Sequence, residues 1–508
     1  MRFPLLLLGA SLTVLAAPLA AQEAPPAAEA PAVTVGDLRS ALVMAYNTNP
    51  DLQGERASLR ATDEGVPLAR SQGLPSVNAT GGVQQSIYDT DQGIGPTRQG
   101  TLGANVSLPV YAGGSVRNSV RAAETRIEAG RSSLRSVEAD VFTQVVTVYV
   151  DVLRDQAIVQ LNQQNVKALS VNLQATRDRF EVGDLTRTDV AQSEARLAQA
   201  EGQLRLAEAR LIASRENFIR VVGAPPADLS APPPLPNLPG DVGVAVDTAL
   251  ASNPALEAVK KQRDASGIDV DVARAGRLPR VSVGVGTTYY NNLGSLSNTA
   301  LLAGLEKDGV AATASVNLTM PLFQGGRPAA QVRQAQARES ASIELVTLTE
   351  RGVVAQARSA FATYQATLRV IESSRAAVDA NRLSLEGVRA ENSVGTRTIL
   401  DILNAEQELL SAQVTYVTAE RDAYLAGFTL LNAMGKANAG DLSLDGGALY
   451  DPTANYRSVR GSISDWSDGP EPAPVGTRTV GTPAQNSSVE GSLDPLLGRP
   501  VDSTGINP

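Results

Sequence analysis

The chain is written twice, and no other feature of its 508 residues constrains its fold as strongly. Ala45-Tyr46-Asn47-Thr48-Asn49-Pro50-Asp51-Leu52 answers to Ala249-Leu250-Ala251-Ser252-Asn253-Pro254-Ala255-Leu256 at an offset of 204, and Leu74-Pro75-Ser76-Val77 answers to Leu278-Pro279-Arg280-Val281 at the same offset. Leu108-Pro109-Val110-Tyr111-Ala112-Gly113-Gly114 matches Met320-Pro321-Leu322-Phe323-Gln324-Gly325-Gly326 at 212. The same 212 relates Val182-Gly183 to Val394-Gly395, Asp189 to Asp401 and Gly223 to Gly435. The increase of 8 falls between the two Pro landmarks, so one loop there is longer in the second copy. Offsets held over so many landmarks identify a tandem duplication of about 200 residues, two copies of one supersecondary unit.

The copies occupy 34–223 and 241–436, joined by a connector, 224–240, whose density of Pro predicts extended backbone with no helix inside it. Residues 1–22 combine one early charge, an apolar run from Leu5 and small residues ending at Ala20-Ala21, which predicts a secretory signal peptide. No Cys follows it to accept a lipid, and no later segment reaches 18 consecutive apolar residues. The tail, 437–508, turns rich in Gly, Ser, Asp and Pro and is expected to be largely disordered.

Each copy opens with a short helix ending at Asn-Pro, followed by a second helix over roughly 52–72 or 255–276. Two stretches of period two come next. Val77, Ala79, Gly81 and Val83 alternate with Asn78, Thr80 and Gln84, and Leu102, Ala104, Val106 and Leu108 with Gly103, Asn105 and Ser107. Val281, Val283 and Val285, then Ala312, Ala314, Val316 and Leu318, repeat the pattern, so hairpins are predicted at about 76–110 and 280–320. Such alternation suits membrane-spanning strands. Helix formers then dominate from Gly114 to Val182 and from Gly326 to Val394, enough for a helix about 100 Å long. After breaks at Gly183 and Gly395, helices to about 222 and 434 carry heptad seams: Val190, Leu197, Leu204, Leu211, Phe218, and Ile402, Leu409, Tyr416, Ala423, Leu430. A seven-residue period implies left-handed coiled-coil packing.

Composition removes most alternatives. Cys and His are both 0, which excludes thiol and imidazole catalysis, Cys/His metal sites and disulfides. A net charge of -9 disfavours nucleic acid as a partner. Aromatics are only 4%, so thin helix seams are more easily built than a thick core. No catalytic residue, cofactor or metal site is expected. Four strands per chain cannot close around a lumen, and open edges are not tolerated in lipid, so several copies must share one barrel. Two, three or four copies would give 8, 12 or 16 strands.

The Leu-Pro-x-Val strand starts, the Pro-x-x-x-Gly-Gly junctions (Pro109–Gly114, Pro321–Gly326) and Ser393-Val394-Gly395-Thr396-Arg397-Thr398-Ile399-Leu400-Asp401 resemble the TolC family of outer-membrane efflux and export channels. Leu449-Tyr450-Asp451-Pro452 is also similar to proteobacterial members, and the resemblance covers roughly 34–457. It implies a mainly α fold with membrane β: a homotrimer whose 12-strand barrel lies in outer-membrane lipid of a Gram-negative bacterium, above a periplasmic α-helical tunnel. The implied function is a passive exit duct in drug efflux or type I secretion. Implied partners are a periplasmic adaptor protein and an inner-membrane pump of resistance-nodulation-division or ABC type. The alternative from another class is a trimeric envelope spacer or adhesin without transport.

In that pattern the helix turns at Val182, Gly183, Val394 and Gly395 are adaptor-docking tips, and the helix ends beside them form a closable aperture. Arg397 would tie neighbouring coils shut with Thr188 and Asp189 as partners, and Asp401 would project into the lumen as a ring of carboxylates. Two positions depart from the family's best-known member. Asn392 stands where it has a Tyr, and Asn404 where it has a second lumen-facing Asp, so the latch is expected to be looser and the anionic constriction thinner.

Overall fold

The computed structural model describes residues 34–87, 98–295, 304, 306–444, 449–489 and 497. The expected signal peptide lies outside them, as does most of both strand-loop tips. In chain order the elements are α1 (Leu38–Thr48), α2 (Pro50–Asp63), α3 (Gly65–Ser71), β1 (Ser76–Gln85), β2 (Arg98–Tyr111), α4 (Ser115–Glu181) and α5 (Arg187–Val222). The second copy gives α6 (Val242–Ser252), α7 (Pro254–Arg274), β3 (Arg280–Asn291), β4 (Asp308–Thr319), α8 (Arg327–Ser393) and α9 (Ile399–Ala433), and a short α10 (Ala454–Val459) follows. The copies differ after the Asn-Pro corner. One helix was expected over 52–72, but the chain breaks at Glu64 between α2 and α3, whereas α7 runs unbroken for 21 residues.

The Asn-Pro pair does more than end a helix. Asn49 Oδ1 accepts from the backbone N–H groups of Asp51 and Leu52, while its Nδ2 donates to the Val221 carbonyl at the end of α5. Asn253 repeats this, capping Leu256 N–H and donating to the Ala433 carbonyl at the end of α9. Both side chains are buried. Each Asn thus caps one helix and satisfies an orphan carbonyl of another, fastening the returning coil to the corner.

α4 and α8 each contain 67 residues, so each is about 100 Å long. Pro328 sits in the first turn of α8, where its missing N–H costs no bond. α5 packs on α4, α4 on α9 and α9 on α8, giving a strip in the order α5–α4–α9–α8. The thickest core lies about midway along the strip, where α1, the connector and the coil ends surround Phe142, Tyr149, Phe218 and Phe428. The extended connector is hydrogen-bonded there: Tyr149 Oη donates to the Ser230 carbonyl at 2.6 Å and Tyr424 Oη to the Pro233 carbonyl at 3.0 Å.

The heptad seams fare unequally. Ile402, Leu409, Tyr416, Ala423 and Leu430 are all buried, because α9 is flanked by helices on both sides. Of the α5 seam residues, only Leu211 and Phe218 are buried, and Val190, Leu197 and Leu204 are partly exposed, because α5 is an edge of the strip. The other edge, α8, leaves Ile343, Leu348 and Leu383 exposed.

The strands form one antiparallel sheet in the order β1-β2-β3-β4, with the two copies joined through β2 and β3 and a register shift between Pro109 and Tyr111. Among the described residues, β1 and β4 each have one edge without a partner strand. Alternation holds, and Val77, Val83, Val310, Val316 and Leu318 are exposed apolar side chains.

The described part of the tail, expected to be largely disordered, makes several contacts with the body. Arg56 lies between the rings of Tyr46 and Tyr450, 4.4 and 4.7 Å from their centroids, so the tail is held by cation–π stacking at its start. Arg215 then donates to the Asn486 and Ser488 carbonyls, and Gln413 Nε2 to the Leu497 carbonyl, with Leu497 buried between the coils.

Candidate functional site

The two helix turns at the end of the strip far from the sheet are built alike. Gly183 (φ +82) and Gly395 (φ +79) reverse the chain in the left-handed region, which glycine enters without a Cβ clash. The N–H groups of Asp184 and Thr396 return to the carbonyls of Arg179 and Glu391, closing both helix ends. Val182 and Val394 project from the tips at 81% and 74% exposure. Each tip therefore ends in one bare apolar side chain beside its glycine.

The next helices start with identical capping boxes. Thr186 Oγ1 accepts from Asp189 N–H while Asp189 Oδ2 accepts from the N–H and hydroxyl of Thr186, at 2.9 and 2.7 Å. Thr398 and Asp401 repeat the arrangement at the same distances. The hydroxyl and backbone bonds from Thr398 hold the Asp401 carboxyl below the usual carboxylate range, and those from Thr186 do the same for Asp189. Asp401 is therefore both a cap and a durable negative charge.

Within one chain, the bonds at the aperture ends run as follows. Arg397 Nε donates to Glu391 Oε2 at 2.7 Å, within its own turn. Among the described residues no bond links Arg397 to Thr188 or Asp189; Asp189 is occupied by Thr186, and Thr188 is exposed. Glu391 lies just across the closed turn, so it reaches the guanidinium first. Between the two repeats of the chain, Asn392 and Asn404 each take a bond from the first repeat. Asn392 accepts from Arg179 Nη1 at 3.4 Å and donates to the Arg397 carbonyl at 2.8 Å. Asn404 accepts from Arg196 Nη2 at 2.9 Å.

Sequence reasoning passed over Arg179 and Arg196, whose partners lie 213 and 208 residues away. It also passed over a duplicated bridge that the 212 offset carries: Arg177–Glu194 and Arg389–Glu406, each 2.6 Å. Their settings differ, since the side chain of Glu194 is 49% exposed and that of Glu406 only 1%. Arg389→Ala is expected to destabilise the protein by about 1–3 kcal/mol, and Arg177→Ala by under about 1 kcal/mol, because only the first takes a guanidinium from a buried carboxylate. Urea unfolding of the two variants side by side checks the ratio, and equal losses would contradict it.

Long paired coils, a four-stranded sheet with open edges and a duplicated Gly tip are therefore one object. The model of the outer membrane efflux protein family matches residues 41–224 and 245–436, one match per repeat. The chain belongs to the outer membrane efflux protein family. It is 33% identical over 427 residues to the outer membrane efflux protein BepC of Brucella suis biovar 1 (strain 1330), covering 83% of this chain and 90% of that one. It is 26% identical to the outer membrane protein TolC of Vibrio cholerae serotype O1, covering 81% and 93%. Its fold matches the crystal structure of the Campylobacter jejuni CmeC outer membrane channel, with a TM-score of 0.69 at 15% identity over 84% of this chain and 90% of that one. This efflux protein is an outer-membrane channel of the efflux and type I secretion class, with its strands in the membrane and its helices in the periplasm.

Proposed function

We propose that three copies of this efflux protein close one 12-stranded barrel and one tunnel of paired helices, and that the tunnel is a passive conduit for material delivered by an inner-membrane pump. One observation carries this reading: both the sheet and the helical strip end in open edges, β1 and β4 above, α5 and α8 below. Edges at both levels are satisfied at once only by lateral repetition around an axis. The half-exposed seam of α5 then meets the apolar residues of the next copy's α8. Val182, Gly183, Val394 and Gly395 dock the periplasmic adaptor. The Asp401 carboxylates, one per copy, line the constriction, with Arg397, Thr188, Asp189, Asn392 and Asn404 around them.

The latch works through Arg179–Asn392 and Arg196–Asn404, supported by Arg397–Glu391. Exposed polar ties of this kind contribute about 0–1 kcal/mol each, weak enough for a docking partner to release. The N392A/N404A double variant is expected to raise single-channel conductance in planar bilayers several-fold over a low-conductance wild type, with trimer mass unchanged. Unaltered conductance would remove these two residues from the latch. A protein that inserts as a trimer yet conducts no ions would overturn the conduit itself.

A further inference from the structure

We propose that residues 461–468 of the tail contact the periplasmic leaflet of the outer membrane, with Trp466 and Ile463 as the lipid-facing side chains. Trp466 is the only tryptophan in the chain. It is 94% exposed and Ile463 is 79% exposed, although an indole is costly to leave in water. Amphipathic indoles concentrate at membrane–water interfaces, where the ring meets acyl chains and the N–H meets head groups.

The path of the tail sets the height of this segment. Tyr450 N–H donates to Tyr46 Oη, Asn455 Nδ2 donates to Asp63 Oδ2 at 2.9 Å, and the Arg70 guanidinium holds the Arg460 carbonyl. The tail thus climbs along α2 and α3 toward Ser76, where β1 begins. It next meets the body at Gly476, which abuts Thr48 and Pro50 at the lower end of α2, and at Thr477, whose hydroxyl donates to the Gly223 carbonyl at 3.4 Å. The climb along α2 and α3 is about 30 Å. The intervening 461–475 can span at most about 50 Å. Its slack lets the turn rise at most about 10 Å above Arg460, so Trp466 is within reach of the strand starts. The exposed Leu74, Leu278, Leu322 and Phe323 flank those strand ends, so the patch continues the lipid-facing surface of the sheet. Asp465 and Asp468 make the segment acidic, which suits zwitterionic lipid and disfavours anionic head groups.

The inference rests on the sheet lying in the membrane, and the test separates the two. The full-length trimer is placed in protein-free liposomes of phosphatidylcholine brominated either near the head group or deep in the acyl chain. Because wild type holds one tryptophan, its fluorescence reports Trp466 alone. The expected result is blue-shifted emission that loses more than half of its intensity to shallow bromine, less to deep bromine, and little to aqueous acrylamide. Emission like that of tryptophan in water, freely quenched by acrylamide, overturns the contact. Blue emission untouched by bromine also overturns it, since protein would then be covering the ring. A V316W/W466F variant carries its tryptophan on β4; strong bromine quenching there shows the barrel in the bilayer whatever Trp466 does.

Discussion

The Asp401→Asn channel is expected to lose most of its preference for cations over anions. Three carboxylates about 8 Å from a passing ion, at the dielectric of water, together contribute on the order of 1.5 kcal/mol, or about tenfold in cation occupancy. Salt screening reduces this to several-fold at about 0.1 M and above. Asn is the informative replacement because its carbonyl oxygen still accepts from the Thr398 N–H and hydroxyl, so the capping box survives. Ala would remove charge and cap together, adding about 0.5–2 kcal/mol of helix destabilisation to the reading. Asp189→Asn, in the same box of the first copy, is expected to reduce selectivity less, since Asp189 stands beside the constriction and Asp401 on it. Reversal potentials in a salt gradient measure both. Equal selectivity in wild type and Asp401→Asn would mean that Asp401 caps α9 and does not line the constriction. The pH dependence has a definite sign. Because the folded carboxyl titrates below its usual value of about 3.9, selectivity should be flat from neutral pH to about pH 4 and fall below it. The cap's stabilisation follows the same course: fully present above the unfolded value, and lost as pH falls through the folded one.

Gly435→Ala is expected to be the most disruptive of the glycine substitutions, costing about 2–5 kcal/mol. Gly435 ends α9 at φ +71, and a Cβ there would lie 2.3 Å from the Ser252 carbonyl oxygen and 2.9 Å from the Asn253 Cα. These are backbone atoms of the corner that Asn253 fastens to Ala433, so they cannot rotate away. The left-handed conformation costs about 1–2 kcal/mol for alanine, and displacing packed backbone adds about 1–3 kcal/mol. At the duplicate position, Gly223, a Cβ meets side-chain oxygens of Thr477 and Thr48, which can turn aside. At the tip, Gly395 (φ +79) has nothing within 4 Å, so only the conformational cost remains. The expected order of destabilisation is Gly435, then Gly223, then Gly395, read from thermal unfolding of the assembled protein. Gly435→Ala unfolding together with Gly395→Ala would show that the Ser252 corner yields.

Much of this was legible in the sequence. A constant offset exposed the duplication, and period two against period seven distinguished strands from coils. The Gly tips fell where helix formers stopped. The latch was not legible, since Arg179 and Asn392 meet only because α4 and α8 bring their ends to one level, about 100 Å from the sheet. Buried Glu406 and half-exposed Glu194 occupy equivalent positions in the two copies, and only the neighbours of α9 and α5 make them different.

One pentapeptide marks the boundary. Val394-Gly395-Thr396-Arg397-Thr398 recurs residue for residue as Val475-Gly476-Thr477-Arg478-Thr479. At the first site Gly395 takes φ +79, the chain reverses and Thr398 caps α9 through Asp401. At the second, Gly476 does not enter the left-handed region, no helix follows among the described residues, and Thr477 is tied to Gly223 instead. Sequence alone determined the duplicated plan, the element types and the tips, because periodicity and flanking capping residues are local. Only tertiary structure decided which copy of a motif turns, which carboxylate is buried and which Arg crosses between coils, because those outcomes depend on what packs alongside.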